Sequence, residues 1–163
     1  MPASSRLPEL GNRGQGWVIV QTVLIGAVVL SAFSGVYWPE SVASTLTIVG
    51  FGLIAAGLVL LAAAGVSLVV ARATTVMPRP REGSTVAEGG VYRAVRHPVY
   101  GAAFLLALGA SLAESPLGLI PTALLAVVFD LKARLEEAWL EERDHDYAGY
   151  RERTPRRFVP GVY

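Results

Sequence analysis

The sequence contains no cysteine, two histidines and few charged residues. Without cysteine there can be no disulfide, zinc–thiolate site, iron–sulfur cluster or cysteine nucleophile. Two histidines, His97 and His145, are too few for a histidine-rich metal site. The formal net charge of +1 excludes a nucleic-acid binder that acts through bulk charge. Charged residues make up 17% of the 163 residues and hydrophobic residues 53%, whereas ordinary soluble domains carry about 25% charged residues. This composition predicts a small membrane protein.

Two long uncharged stretches lie in the first half of the chain, at 14–39 and 41–71, with 26 and 31 residues. A transmembrane helix needs about 20 apolar residues, so each stretch is long enough to cross a bilayer. The first apolar run is too long for a signal peptide, and no small-residue cleavage site follows it. The sequence therefore predicts a flexible N-terminus at 1–16 and two transmembrane helices in 17–71, near 17–38 and 43–71.

Two shorter uncharged runs follow, from Pro98 to Ala113 and from Ser115 to Phe129, with 16 and 15 residues. The turn between them ends in Pro116, which favours the start of a helix. We interpret the pair as a helical hairpin with helices near 98–113 and 116–142, the second one projecting into the cytoplasm. A re-entrant pair that does not cross the bilayer is the alternative.

Basic residues predict the orientation. The segment 72–97 contains five Lys or Arg and the segment 132–163 contains seven, whereas the turns at 37–44 and 114–116 contain none. The positive-inside rule places both basic segments in the cytoplasm. We therefore expect a single all-α integral membrane domain with about four transmembrane helices and both termini in the cytoplasm. Its segment 72–163 contains a loop, the hairpin and a tail that is irregular beyond the last helix.

Two charged motifs border the hairpin. The first is Arg96-His97-Pro98-Val99-Tyr100, and the second extends from Lys132 to Leu140 and includes Glu136-Glu137. Taken alone, the first motif is equally consistent with interfacial anchoring by arginine and tyrosine. The second is equally consistent with a solvated charged helix.

Together the motifs resemble those of the isoprenylcysteine carboxyl methyltransferase and phospholipid methyltransferase superfamily of integral membrane enzymes. The resemblance covers about residues 84–160. Its elements are Gly90-Val91-Tyr92, the His-Pro-x-Tyr segment, the apolar hairpin, Glu136-Glu137-Ala-Trp-Leu140, Tyr147-Ala-Gly-Tyr150 and Arg157-Phe158-Val159-Pro160. That family usually has arginine in place of Lys132, and glycine two residues after the motif tyrosine, where this chain has Ala102 beside Gly101.

The resemblance implies methyl transfer from S-adenosylmethionine to a lipophilic acceptor at the membrane interface. The implied cofactor-binding residues lie in the cytoplasmic loop, in the His-Pro-x-Tyr segment and in the Glu-Glu pair: Ser84, Thr85, Val86, Ala87, Tyr92, His97, Pro98, Val99, Tyr100 and Glu136. Lys132 or Arg134 would hold the acceptor, and Glu137 or His97 would be the general base if the acceptor were an amine or hydroxyl. No metal is implied.

Two other functions stay open at this point. A sterol-reductase-like enzyme would bind NADPH through a related hairpin, and a small scaffold protein would form a homodimer through the glycine-rich second helix. For a methyltransferase we expect a bacterial plasma membrane and a lipid acceptor. The acceptor would enter sideways between the second helix and the hairpin.

Overall fold

The computed structural model describes residues 10–11, 14–71, 86–143 and 146–161. Within these residues the chain is all-helical, as the sequence predicts. Its α-helices are α1 (Gln15–Ser31), α2 (Glu40–Ala71), α3 (Pro98–Glu114), α4 (Leu119–Arg143) and α5 (Tyr147–Arg153). Short 3-10 turns at Gly90–Arg93 and Pro116–Gly118 precede α3 and α4.

The second helix begins at Glu40 instead of residue 43, and the α-helical part of the fourth begins at Leu119 instead of residue 116. Other differences from the prediction concern the two ends of the chain and the first helix. The first helix ends at Ser31 instead of residue 38, because the chain turns there and Gly35 has a φ of +73°, which a helix does not allow. The tail was predicted to be irregular, but it contains α5, in which Tyr147 and Tyr150 are both buried on one helix face. In the predicted flexible segment, residues 1–9 and 12–13 lie outside the described residues, and Gln15 already belongs to α1.

Among the residues that the structure describes, two helical segments are long and apolar enough to cross a membrane: α2, and the segment from Pro116 to Arg143 that includes α4. The most hydrophobic window of α2 is only 17% buried, and its large apolar side chains, such as Val59 and Val70, are exposed. Apolar surface of this extent is unfavourable in water. Such a surface favours a membrane over water as the surroundings of α2. The helices α1 and α3 are apolar but shorter.

Close packing of α2 against α3 forms the largest helix interface. A Cβ atom at Gly50 would lie 2.6 Å from the carbonyl oxygen of Gly109, and one at Gly109 would lie 2.6 Å from that of Gly50. Gly57 likewise faces α3, whereas Gly52 and Gly65 have open space around them. Some of the small residues of α2 are therefore needed for packing within the chain.

Hydrogen bonds attach the connection between α1 and α2 to the turn between α3 and α4. Trp38 Nε1 donates to the carbonyl oxygen of Ser111 at 3.2 Å, and Ser115 Oγ donates to that of Val36 at 2.7 Å. Ser111 and Thr122 are bound to each other through their hydroxyls, 2.9 Å apart. These contacts hold α3 and α4 side by side. The N-terminal end of α3 and the C-terminal end of α4 therefore meet at the polar cluster described below.

We predict that Gly50→Ala destabilises the protein by about 1–3 kcal/mol, because the added methyl meets backbone atoms of α3 that cannot move independently. Gly52→Ala on the same helix is the control, and it should be neutral or stabilising by up to about 1 kcal/mol, since its Cβ meets nothing and alanine favours the helix. Unfolding of both variants in mixed micelles measures the difference. Equal stability of the two variants would contradict the packing described here.

Candidate functional site

The turn that leads into α3 forms the first part of the site. Pro98 occupies the first position of α3, where its missing N–H has no intrahelical partner to lose. His97 precedes it with φ −127° and ψ 59°, outside the helical region, as a residue before proline prefers. This backbone conformation lets the side chains of Arg96 and His97 both reach α4.

Glu137 on α4 lies at the centre of the site and is only 3% exposed. Its Oε1 accepts a hydrogen bond from Arg96 Nε at 2.9 Å and lies 3.1 Å from His97 Nε2. Its Oε2 accepts a hydrogen bond from Arg157 Nη2 at 3.1 Å. A buried carboxylate is tolerated only where charged donors replace its water. Glu137 therefore joins α4 to the turn before α3 and to the C-terminal segment.

The C-terminal segment 154–158 runs along that turn and is held by backbone hydrogen bonds. The N–H of Arg96 donates to the carbonyl oxygen of Arg156 at 3.1 Å, and the N–H of His97 donates to that of Arg157 at 2.7 Å. The guanidinium of Arg96 also donates to the carbonyl oxygen of Thr154. The segment thus covers one side of the site.

Gly101 allows this close approach. A Cβ atom at Gly101 would overlap the carbonyl oxygen of Phe158. The ring of Phe158 lies 6.2 Å from that of His97 and 6.4 Å from that of Tyr100, measured between centroids. The glycine beside Ala102 therefore permits the tail to pack against the first turn of α3.

Glu136 precedes Glu137 on α4 and points in a different direction, about 100° around the helix. Its Oε1 accepts a hydrogen bond from the hydroxyl of Tyr100, and its Oε2 lies 3.5 Å from His97 Nδ1. Its side chain is 15% exposed, more than that of Glu137. The structure thus brings together three of the predicted cofactor-binding residues from two separate parts of the sequence.

Stacked rings hold the Tyr100 hydroxyl in place. The Tyr100 ring is nearly parallel to that of His97, at a centroid distance of 5.5 Å, and to that of Phe129, at 5.0 Å. Parallel rings at these distances attract each other and restrict rotation. The hydroxyl of Tyr100 is therefore aimed at α4.

The two predicted acceptor-binding residues lie in different surroundings. Lys132 is 2% exposed; its Nζ donates to Gln21 Oε1 on α1 at 2.6 Å and lies 4.8 Å from the centre of the Tyr100 ring. The side chain of Arg134 is 54% exposed and pairs with Asp130 at 2.7 Å. Lys132 is therefore enclosed near the cofactor-binding residues, whereas Arg134 is at the surface.

The predicted loop residues form an apolar wall beside the polar cluster. Ala87 and Tyr92 are buried and pack with Ala64 of α2, and Val99 contacts this group. Val86 is half-buried. The carbonyl oxygen of Tyr92 accepts a hydrogen bond from the Tyr150 hydroxyl at 2.8 Å. The remaining predicted loop residues, Ser84 and Thr85, lie outside the described residues.

Four polar residues of this cluster were not among the predicted site residues: Gln21, Arg96, Asp130 and Arg157. Arg157 contacts both Glu137 and Asp130, the latter at 2.8 Å, and Gln21 binds Lys132. The spacing of Asp130, Arg134 and Glu137 at i, i+4 and i+7 could have shown that they share a helix face. Arg157 belongs to a motif of the family resemblance, but no spacing pairs it with Glu137, and no sequence signal connects Gln21 with α4.

The electrostatics of the cluster favour a charged His97. Burial lowers the pKa of His97, but hydrogen bonds to Glu136 and Glu137 and their negative charges raise it by more, so that the pKa lies above its ordinary value. Burial and the charge of Glu136 raise the pKa of Tyr92 to about 12, so Tyr92 stays neutral. His97 therefore lies between two carboxylates that stabilise its protonated form.

Within the described ranges, no group of three His, Cys, Asp or Glu side chains could hold a metal ion. Comparison of the sequence with protein-family models and with curated proteins gives no match. The family resemblance stated above therefore stays a prediction, and the function proposed below is based on the geometry of the cluster.

We predict that the stabilising effect of His97 declines as the pH rises. Because the pKa of folded His97 lies above the unfolded value of about 6.5, its contribution is fully present below that value and is lost as pH rises through the folded pKa. Thermal unfolding of the wild type and His97→Gln between about pH 5.5 and about pH 9 measures it. The difference between the two midpoints should shrink with increasing pH, and a difference that grows with pH would show that His97 is not held as a cation.

Proposed function

We propose that the protein is an integral membrane methyltransferase that uses S-adenosylmethionine and methylates a lipophilic acceptor at the cytoplasmic interface of a bacterial plasma membrane. The observation that carries the proposal is the junction of Glu136, His97 and Tyr100, which lie beside an apolar wall at the ends of α3 and α4. This junction offers a partly accessible carboxylate to the ammonium group of the methyl donor.

In this proposal the chain crosses the membrane four times. Both α1 and α3 contain 17 residues, which is the lower end of the range of about 17–25 residues observed for spanning helices. The two longer apolar segments supply the other spans. With the basic segments inside, the polar cluster and both termini face the cytoplasm, where a water-soluble cofactor is accessible.

The side chains of the cluster fit the amino-acid end of S-adenosylmethionine. Glu136 retains lone pairs for an ammonium group, since Tyr100 occupies one side of Oε1 and His97 Nδ1 is 3.5 Å from Oε2. Ala87 and Val99 provide apolar surface nearby. When bound, the cofactor supplies a methyl group on a sulfonium, which is reactive without a metal or an acid. The residues of the site contribute orientation and exclusion of water.

Glu137 acts as a positioning residue in this proposal. Both of its oxygens are bound to cationic groups, and its burial keeps it from contact with an acceptor. Through His97 and Arg157 it fixes the imidazole and the C-terminal segment. This role differs from that of a general base, which the sequence left open for Glu137. It is compatible with an acceptor that needs no base.

We place the acceptor route beside Lys132, between α1 and α4. At Gly50 and Gly57, α2 packs directly against α3 and leaves no groove. The acceptor route expected from the sequence, between α2 and the hairpin, is therefore closed at these two glycines. Lys132 is covered on the α1 side by Gln21. A polar head group that displaced Gln21 would meet an ammonium close to Tyr100, while its tail stayed in the bilayer.

Ligand-dependent thermal stabilisation of the full chain in nanodiscs tests this function. S-adenosylmethionine should raise the unfolding midpoint, because a ligand that binds the folded state stabilises it. NADPH at equal concentration should not. Stabilisation by NADPH alone would replace the proposal with the reductase alternative, and stabilisation by neither would remove the cofactor site.

We predict that Glu136→Gln weakens S-adenosylmethionine binding by about 1.5–3 kcal/mol, or roughly tenfold to 150-fold, because the ammonium loses a charged acceptor. Glu142→Gln is the matched control, since Glu142 is exposed on the same helix. Isothermal titration of the folded variants measures both affinities. An unchanged affinity of Glu136→Gln would rule out this carboxylate as the ammonium ligand.

A further inference from the structure

The two carboxylates beside His97 differ in the cations that compensate their charge. Besides the imidazole, Glu137 is paired with Arg96 and Arg157. Among the residues that the structure describes, His97 is the one cationic group in an ion pair with Glu136. A neutral imidazole therefore leaves Glu137 with two paired cations and Glu136 with none, so that the proton of His97 matters most to Glu136.

Both ring nitrogens of His97 face carboxylate oxygens. Nε2 lies 3.1 Å from Glu137 Oε1, and Nδ1 lies 3.5 Å from Glu136 Oε2. A neutral imidazole carries one N–H, and an ionised carboxylate only accepts, so the ring needs both protons to donate on both sides. Burial lowers the pKa of His97, but the two carboxylates raise it by more, which agrees with this geometry. The proton on Nδ1 thus supplies the charge that Glu136 requires.

Other charged and titratable groups surround His97 on every side. They are Arg96 and Tyr100 next to it in the chain, Asp130 and Lys132 on α4, Tyr92 in the loop, Tyr147 and Tyr150 on α5, and Arg157 in the C-terminal segment. Both of these arginines pair with Glu137, and the lysine donates to Gln21. Burial raises the pKa of Tyr92 and Tyr147, so these phenols stay neutral. None of these groups pairs with Glu136 as a cation.

We propose that His97 releases its Nδ1 proton when S-adenosylmethionine binds, because the ammonium group of the cofactor takes the place of that proton beside Glu136. This inference rests on the function proposed above. An N–H of the ammonium then faces Glu136, the displaced proton goes to solvent, and the Nε2–H stays directed at Glu137. An imidazolium and an ammonium on one carboxylate repel each other strongly here, since the side chains of His97 and Glu136 are only 9% and 15% exposed.

This coupling makes cofactor affinity depend on pH with a sign opposite to that of stability. Below the pKa of folded His97, the cofactor must displace a bound proton, so its affinity should increase about tenfold for each pH unit. The range from about pH 5.5 to about pH 7.5 suits the measurement, because an α-amino group with an ordinary pKa of about 7.7–8.0 stays largely protonated there. Affinity should therefore rise across a range in which the stabilising effect of His97 declines.

Isothermal titration of the full chain in nanodiscs with S-adenosylmethionine counts the protons without any variant. Titrations in two buffers with different ionisation enthalpies give the number of protons exchanged for each cofactor bound. We expect a net release that approaches one proton within this pH range. No net exchange would overturn the proposal. Net uptake would overturn it as well, and would show that the imidazole meets the carboxylate of the cofactor instead.

Two variants identify the group that releases the proton. His97→Gln keeps a neutral donor but has no proton to lose, so its affinity should be nearly constant with pH, whereas a merely structural role would lower the affinity equally at every pH. His145→Gln changes the other histidine of the sequence and should keep the wild-type dependence. Equal release in His97→Gln and the wild type would overturn the proposal and leave the cofactor site in place. Absence of binding at every pH would instead remove the site, and with it the function proposed above.

Discussion

One buried carboxylate determines how the start of α3, the C-terminal part of α4 and the C-terminal segment are held together. Glu137 is removed from water, and its charge is compensated by Arg96, His97 and Arg157. A buried carboxylate that loses such partners costs several kcal/mol. All three partners must therefore be in place at once, although they come from the turn before α3 and from the C-terminal segment. This requirement fixes both elements against α4 without a disulfide.

The surroundings of Glu136, the neighbouring glutamate, depend on this arrangement. In the proposed function its role differs from that of Glu137. Glu137 holds the Nε2 side of His97, which leaves Nδ1 turned towards Glu136. The stacking of Tyr100 on His97 then aims the tyrosine hydroxyl at the same carboxylate. Two adjacent acids on one helix thus have different roles. Glu137 stabilises the assembly, and Glu136 remains accessible to a ligand in the proposed function.

The helices were largely predictable from the sequence, because uncharged runs and Pro98 mark their positions directly. The exceptions have physical reasons: α1 stops early at the turn that contains Gly35, and α5 forms because Tyr147 and Tyr150 can be buried together. The site was only partly predictable. Which of two adjacent glutamates points inward depends on the rotation of α4 about its axis, and that rotation is set by tertiary contacts. The contact of Arg157 with Glu137 depends on the path of the tail, which no periodic pattern encodes.

A double-mutant cycle between Glu137→Gln and Arg157→Gln, measured as S-adenosylmethionine affinity in nanodiscs, tests most directly whether this ion pair assembles a cofactor site. Each single variant should weaken binding although neither residue is proposed to touch the cofactor. Because Arg157 acts through its contact with Glu137, the double variant should be little weaker than Glu137→Gln alone, with a coupling free energy of at least about 1 kcal/mol. Additive losses, or unchanged affinity in folded single variants, would contradict the account.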